Sequence, residues 1–272
     1  MYRFEGNLLK NLFLAPNRLE IHGLENKIEE GPCLIVCNHS GAAKDVAVIY
    51  RIFERMVFYC AMYYLFDRDT LSREIRVNYM RQLVPAKLPR AIVDLVLTPI
   101  RETFAWYVAS RLTEIGTLPF KAEHLPREGR AMDHENIREL IQAYLLAGRA
   151  VVLMQADTVR RSTYHPYVSR FKRGAASIAY ELFQRKESLE VPVTPISIYG
   201  AEGLLTIGKQ IVARVGEPMT IKPFLDRPEP VESFTAALEK RVADLIRPDV
   251  EKYGMPKRKF ARHVRRKLYR EE

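Results

Sequence analysis

The sequence predicts an α/β fold, a single domain with a central, largely parallel, twisted sheet covered by helices on both faces. Short apolar runs alternate with helix-like segments along most of the 272 residues, and such alternation is typical of parallel sheets. The run 33–37 is apolar throughout and follows a Gly-Pro turn, as expected for a strand buried on both faces. No apolar stretch reaches the roughly 20 residues that span a bilayer, so we expect a soluble or peripheral protein.

Seven strands are predicted from short runs of apolar and β-branched residues between turn residues. In chain order they are residues 19–23, 33–37, 57–62, 116–120, 151–154, 191–199 and 211–215. In open parallel sheets, binding and catalytic residues gather at the carboxyl ends of strands. The polar clusters that follow the strands at 33–37 and 151–154 are therefore the candidate site.

Helices are predicted between these strands from apolar residues at helical spacing. They are residues 1–16, 45–55, 90–115 (as one or two helices), 136–147, 174–185 and 233–246. Gly148 is expected to end the helix before it as a C-cap, and Pro248 is expected to end the last helix. The aromatic helix that carries Trp106 and Tyr107 is interpreted as core, because aromatic stripes usually pack inward, with a membrane contact as the alternative.

The net charge of +10 is concentrated at the C-terminus. Residues 251–272 hold nine Lys/Arg and three Glu, a net +6. Phe260, Val264 and Leu268 lie four apart within this basic segment, so it is predicted to lie as a basic amphipathic helix on an anionic membrane surface. A solvated tail without a partner remains an alternative. Nucleic acid is disfavoured, because the sequence contains no recognised nucleic-acid-binding module.

The predicted organisation has three parts. They are an N-terminal amphipathic segment (1–18), a main domain (19–250) and the basic C-terminal tail (251–272). Three cysteines, Cys33, Cys37 and Cys60, are too few for a disulfide framework and lack further ligands at metal-binding spacing. They are interpreted as core residues of a protein in a reducing compartment, the cytoplasm.

The first polar cluster places His39 directly after a buried strand, with Asp45 six positions later. A neutral imidazole removes a hydroxyl proton near pH 7 when a carboxylate holds its other ring nitrogen. The small residues between the two allow the chain to fold Asp45 back onto His39. The alternative is that His39 is an ordinary loop histidine and that Asp45 caps a helix.

The second cluster contains Arg160 and Arg161 after the strand at 151–154, and the third contains Lys172 and Arg173 before a helix. Paired guanidinium groups match the oxygens of a phosphate. The free N–H groups at a helix N-terminus also attract anions. Both clusters therefore predict an anion-binding site, with a solvated basic surface as the alternative.

Together these pieces resemble the glycerolphosphate acyltransferase superfamily, which includes lysophosphatidic acid acyltransferases. The Asn38-His39 pair with Asp45 is similar to the Asn-His…Asp catalytic block of that family, and the resemblance extends over residues 19–223. Further similar segments follow in the family's order, at residues 23–26, 116–121, 171–175, 191–195 and 215–218.

The resemblance implies transfer of a fatty acyl group from acyl-CoA or acyl carrier protein to the hydroxyl of a (lyso)phospholipid or glycerol phosphate. His39 would be the general base and Asp45 would orient it, at the cytoplasmic face of a membrane, with no metal and no cofactor. The implied substrate-binding residues are Lys121, Asp157, Thr158, Arg160, Arg161, Lys172 and Arg173. The partners are then the lipid substrate, the membrane surface that the basic tail contacts and, as an alternative donor, acyl carrier protein.

Two features depart from the family pattern. Five residues, rather than four, separate His39 from Asp45. The third block, normally Phe-Pro-Glu-Gly-Thr-Arg-Ser, corresponds here to residues 154–162, in which Asp157 is the candidate substitute for the glutamate. These departures keep open a second function, that of a non-catalytic lipid-binding relative with the same fold.

Overall fold

The computed structural model describes residues 7, 11, 13–41, 43–78, 90–112, 116–120, 134–155, 160–185, 189–203 and 207–255. Most of the predicted segment 1–18 and most of the basic tail 251–272 lie outside these residues, so both stay predictions. Among the described residues, no helix has the length and apolar character needed to cross a membrane.

One sheet contains a strand at each of the seven predicted positions. The strands are β1 (Arg18–His22), β2 (Cys33–Asn38), β3 (Val57–Met62), β4 (Thr117–Phe120), β5 (Ala150–Gln155), β6 (Val193–Tyr199) and β7 (Gln210–Val215). Their order is β1-β7-β6-β2-β5-β3-β4. The pairs β1/β7, β2/β6, β2/β5 and β3/β5 are parallel, and β6/β7 is antiparallel. The predicted α/β fold with a largely parallel sheet is confirmed.

The register brings the ends of the central strands to one edge of the sheet. Asn38 at the end of β2 pairs with Gln155 at the end of β5, and Cys37 pairs with Ile196 of β6. Every residue of β2 and of β6 is buried, which is the pattern of strands covered on both faces. The two polar clusters singled out in the sequence therefore leave the sheet at neighbouring points.

The helices of the described residues agree with most of the predicted ones. They are α1 (Ala43–Ile52), α2 (Arg68–Asn78), α3 (Arg90–Arg111), α4 (His134–Leu146), α5 (Gly174–Arg185) and α6 (Pro230–Tyr253). Within the predicted stretch 90–115, residues 90–111 form one helix, with Pro99 inside it. Helix α6 lies against β6 and β7 and buries its apolar side there, including Phe234, Leu238 and Val242.

Helix α2 was not predicted. Its sequence is dominated by charged and polar residues, and only Leu71, Ile75 and Val77 are apolar, so its apolar side is narrow and easily overlooked. Its start does carry a local signal, because the carboxylate of Asp67 accepts a hydrogen bond of 2.8 Å from the backbone N–H of Thr70. Asp67 is thus the N-cap of the helix.

The prediction that Pro248 ends the last helix was wrong, because α6 continues to Tyr253. A proline inside a helix removes one backbone hydrogen bond. Burial and an ion pair offset that loss here. Ile246 and Asp249 are buried, and Asp249 accepts two hydrogen bonds from Arg214 of β7, of 2.9 and 2.7 Å.

The chain divides into two compact units. The first consists of Met1–Cys60 and Glu135–Lys257, and the second of Ala61–His134 and Arg258–Glu272. In the second unit, the interpretation of α3 as wholly core was wrong for Trp106, which is 57% exposed. All the described residues of the candidate site belong to the first unit.

Candidate active site

The structure brings His39 and Asp45 together. Nδ1 of His39 lies 2.8 Å from Oδ2 of Asp45. The longer spacing between them is accommodated because α1 begins at Ala43, which places Asp45 in its first turn. From there the carboxylate reaches back over the loop that carries the histidine.

Asp45 also organises the backbone of this loop. Its Oδ2 accepts hydrogen bonds from the N–H groups of Ser40, at 2.9 Å, and Gly41, at 2.7 Å. Asp45 is not the N-cap of α1, because it lies within the first turn of the helix, but the oxygen that holds the imidazole also fixes the backbone that leads into the helix. Three donors therefore converge on one oxygen of this carboxylate.

The position of His39 follows from the sheet itself. The side-chain amide of Asn38 donates to the carbonyl of Ile198 at 2.7 Å and accepts from its N–H at 2.8 Å. The backbone N–H of His39 donates to the carbonyl of Gln155 at 3.1 Å. The residue before the histidine thus binds β6, and the histidine itself binds β5.

The geometry of the pair is that of a general base. Because the Asp45 carboxylate accepts from Nδ1, the neutral ring carries its proton there, and Nε2 is the nitrogen that can take a proton. The Asp45 side chain is fully buried, whereas that of His39 is 31% exposed. The imidazole can therefore reach a bound hydroxyl while its orienting partner stays away from water.

The basic residues after β5 lie on a short antiparallel ribbon, residues 160–170. Arg161 pairs with Ser169, and the N–H of Arg170 donates to the carbonyl of Arg160 at 3.0 Å. Arg160 and Arg170 therefore stand opposite each other, at a separation where side chains of paired strands interact. Both are exposed. Sequence analysis missed Arg170, since only the ribbon pairing brings it beside Arg160.

A glutamine connects the ribbon to the histidine loop. Oε1 of Gln155 accepts a hydrogen bond of 2.9 Å from the backbone N–H of Lys172, while the carbonyl of Gln155 accepts from His39. Lys172 is thereby placed beside the end of β5, with its side chain exposed.

Arg173 is paired with an acidic residue of another helix. Its guanidinium forms an ion pair of 2.6 Å with Glu232 of α6. Lys121, Asp157 and Thr158 lie outside the described residues, so their predicted roles stay predictions.

A buried polar cluster beside His39 was not found from the sequence. Its members are Lys44 on α1, Tyr167 at the end of the ribbon loop and Glu202 after β6. The Tyr167 hydroxyl donates to the Glu202 carboxylate and accepts from the N–H of Gly200 at 3.2 Å. Burial raises the pKa of Glu202 and lowers that of Lys44 to about 8. The members are distant in sequence, and no local motif marks them.

Comparison with known proteins gives likenesses among solved structures but none among sequences. No family model and no curated protein sequence matches the chain. Among solved structures, the chain is similar to the 1-acyl-sn-glycerophosphate (LPA) acyltransferase PlsC from Thermotoga maritima, with 14% identity and a TM-score of 0.47. The match covers 89% of this chain and 80% of that one. At this identity and TM-score, the likeness does not assign an activity to the chain.

Proposed function

We propose that this protein is an O-acyltransferase. It moves a fatty acyl group from a thioester donor, acyl-CoA or acyl carrier protein, to the hydroxyl of a (lyso)phospholipid or glycerol phosphate at a membrane surface. The observation that carries the proposal is the 2.8 Å contact between His39 Nδ1 and Asp45 Oδ2, which leaves Nε2 available as a base at the carboxyl edge of the sheet. The motifs that resemble the glycerolphosphate acyltransferase superfamily support it.

The proposed reaction is a direct transfer. Nε2 of His39 takes the proton of the acceptor hydroxyl as its oxygen attacks the thioester carbonyl. Asp45 stabilises the imidazolium that forms, as a carboxylate does in a Ser-His-Asp triad. The C–S bond then breaks, and the imidazolium returns the proton to the leaving thiolate. The products are an ester and a free thiol, and a base of this kind contributes about 10²–10⁴-fold to the rate.

The acceptor phosphate would lie near the ribbon. Arg160 and Arg170 oppose each other there, and two guanidinium groups can bind the oxygens of one phosphate with paired donors. Gln155 links this region to His39 through the two hydrogen bonds described above. Lys172 would add positive charge, and Lys121, Asp157, Thr158 and Arg161 keep their predicted substrate-binding roles.

The experiment that tests the activity measures release of free thiol. Purified protein receives acyl-CoA with lysophosphatidic acid, glycerol 3-phosphate or another lysolipid, and His39→Ala is compared with wild type. His22→Ala is the matched control, because His22 lies on β1 with 47% of its side chain exposed. We expect release by wild type and His22→Ala but not by His39→Ala. Equal release by His39→Ala would exclude His39 as the base.

A second outcome separates the two proposed functions. If wild type releases no thiol with any acceptor and yet binds lysolipid-containing vesicles, the non-catalytic lipid-binding function is favoured.

Membrane attachment through the basic tail has its own test. Deleting residues 256–272 should weaken binding to anionic vesicles, since each basic residue near such a surface contributes about 1 kcal/mol. Vesicle sedimentation at low and high salt measures this. Unchanged binding at low salt would exclude the tail as the membrane contact.

A further inference from the structure

Helix α3, in the second unit, carries an exposed apolar face. The residues exposed between positions 98 and 111 lie at helical spacing, and they are Pro99, Ile100, Thr103, Trp106 and Ser110. Residues at this spacing share one side of a helix. Ile100 is 64% exposed and Trp106 is 57% exposed. These five uncharged residues, here called the α3 face, therefore present two large apolar side chains to solvent.

The opposite side of α3 packs against α2. Nε of Arg101 donates to the Ser72 hydroxyl of α2 at 2.8 Å, and Ala105, one turn further along α3, is fully buried. The helix is therefore anchored on one side and exposes the α3 face on the other. Exposed apolar patches mark surfaces that contact another molecule or a membrane.

The composition of the α3 face suits the boundary between water and lipid. Tryptophan is enriched at this boundary, because its ring is apolar while its N–H can still form a hydrogen bond. The Ser110 hydroxyl donates to the carbonyl of Tyr107 at 2.9 Å. Moving Ser110 away from water therefore does not leave an unpaired donor, which would be costly in a less polar medium.

Positive charge lies beside this helix. The charged residues that line a cavity of about 270 Å³ between α2 and α3 are Asp69, Arg73, Arg76, Arg101 and Glu102. Three of them are arginines and two are acidic, so the cavity is positive on balance. Arg73 and Arg76 are exposed, so their guanidinium groups are accessible to the phosphates of lipid headgroups.

The same excess extends over the whole second unit. It contains 18 Lys/Arg and 11 Asp/Glu, so about a third of the residues carry a net +7 of the +10 of the chain. An anionic bilayer attracts such a charge, whereas a second copy of the chain would bring a charge of the same sign to the contact. Charge complementarity therefore favours an anionic lipid surface as the occupant of the α3 face.

We propose that the α3 face is a membrane-contact surface. Ile100 and Trp106 enter the interfacial region of an anionic phospholipid bilayer, and the arginines of α2 lie among its headgroups. The helix lies in the plane of the surface, as amphipathic helices with apolar and basic sides do. The inference rests on the proposed function for its purpose, since the acceptor of that reaction is a membrane lipid, but the contact itself does not require catalysis.

Trp106 is the only tryptophan of the chain, so tryptophan fluorescence reports on this face alone. The full-length protein is mixed with vesicles of phosphatidylglycerol and phosphatidylcholine, with ordinary or brominated acyl chains. We expect the emission to move to shorter wavelength and brominated chains to quench it, because the indole leaves water. Vesicles of phosphatidylcholine alone should give a smaller shift at equal lipid concentration, since the attraction between opposite charges is absent.

The variant Ile100→Glu tests the contribution of the face to binding. Ile207→Glu is the matched control, because Ile207 is 76% exposed and belongs to the first unit. Partition of Ile100→Glu into the anionic vesicles should fall about tenfold or more, since the burial of one isoleucine side chain is lost. Ile207→Glu should stay within about twofold of wild type, as is usual for a surface substitution. Vesicle sedimentation measures both.

Three results would overturn the proposal. In the first, wild type sediments with anionic vesicles while brominated chains leave Trp106 unquenched, so that another surface makes the contact. In the second, the emission shift follows protein concentration without lipid, so that a second copy covers the face. In the third, Ile100→Glu and Ile207→Glu bind the vesicles equally well.

The outcome for this surface is separate from the outcome for the activity. If Trp106 is quenched by brominated chains while no acceptor gives release of thiol, the acyltransferase function fails and the membrane-contact surface stands. If thiol is released while Trp106 stays unquenched, the surface fails and the function stands.

Discussion

The histidine loop and the basic ribbon leave neighbouring strands of one sheet, yet they are built in opposite ways. Asp45 is fully buried and binds three donors through one oxygen. Arg160, Arg161 and Arg170 on the ribbon are all exposed. A proton transfer needs a fixed geometry, which burial provides, whereas a charged substrate must enter from water. The contrast predicts that changes in the loop affect chemistry and stability together, and that changes in the ribbon affect substrate affinity alone.

Asp45→Ala is the strongest way to test that contrast. It leaves the ring N–H of His39 and the N–H groups of Ser40 and Gly41 without their acceptor. We expect activity to fall by about 10³-fold, as for loss of the partner of a general base, and the free energy of unfolding to fall by about 1–3 kcal/mol. Thiol release and urea denaturation measure the two effects. An Asp45→Ala protein with wild-type activity would exclude the pair as the catalytic centre.

Protonation of the buried Lys44 makes the free energy of unfolding depend on pH, which tests the buried region of this comparison. Burial lowers its pKa to about 8 in the folded protein, against an ordinary value of 10.5. As the pH rises, the folded state therefore releases the Lys44 proton before the unfolded state does. The cost of burying a charged ammonium group then disappears between pH 8 and pH 10.5. Compared with Lys44→Met, wild type should gain about 3 kcal/mol of unfolding free energy from pH 7 to above pH 10, as the shift implies. Parallel stability curves for the two proteins would contradict this.

The ribbon is tested by the double variant Arg160→Ala, Arg170→Ala. Losing charge-assisted bonds to one phosphate should raise KM for a phosphorylated acceptor about tenfold or more. We expect kcat and the unfolding free energy to stay near wild type, because both side chains are exposed. An acceptor without phosphate is the control substrate. An equal rise in KM for that acceptor would show that the ribbon does not bind phosphate.

Arg173→Ala should have the smallest effect. The guanidinium already pairs with Glu232, and its side chain is 70% exposed, so the pair contributes about 0–1 kcal/mol. We expect KM for a phosphorylated acceptor to stay within about twofold of wild type. Such a change corresponds to less than about 1.4 kcal/mol of binding free energy. A rise as large as that of the ribbon variant would restore Arg173 to the anion site that the sequence predicts.

Sequence analysis predicted the features that are set by residues close together in the chain. Short apolar runs between turn residues located the seven strands, and His39 and Asp45 could be paired because only a small loop separates them. Sequence analysis failed for features that depend on contacts between distant segments of the chain. Helix α6 passes through Pro248 because Asp249 binds Arg214 on another element. Arg170 joins Arg160 only through ribbon pairing, and the loops after β2 and β6 meet at Gly41 and Ala201, which lie far apart in the sequence.

Asn38 has a consequence for how the protein responds to heat. Its amide forms two hydrogen bonds to Ile198, so the histidine loop is tied to two fully buried strands, β2 and β6. Local opening of that loop would require the central strands to separate. We therefore expect thermal inactivation and thermal melting to occur at the same temperature, rather than activity being lost first from a protein that is otherwise still folded.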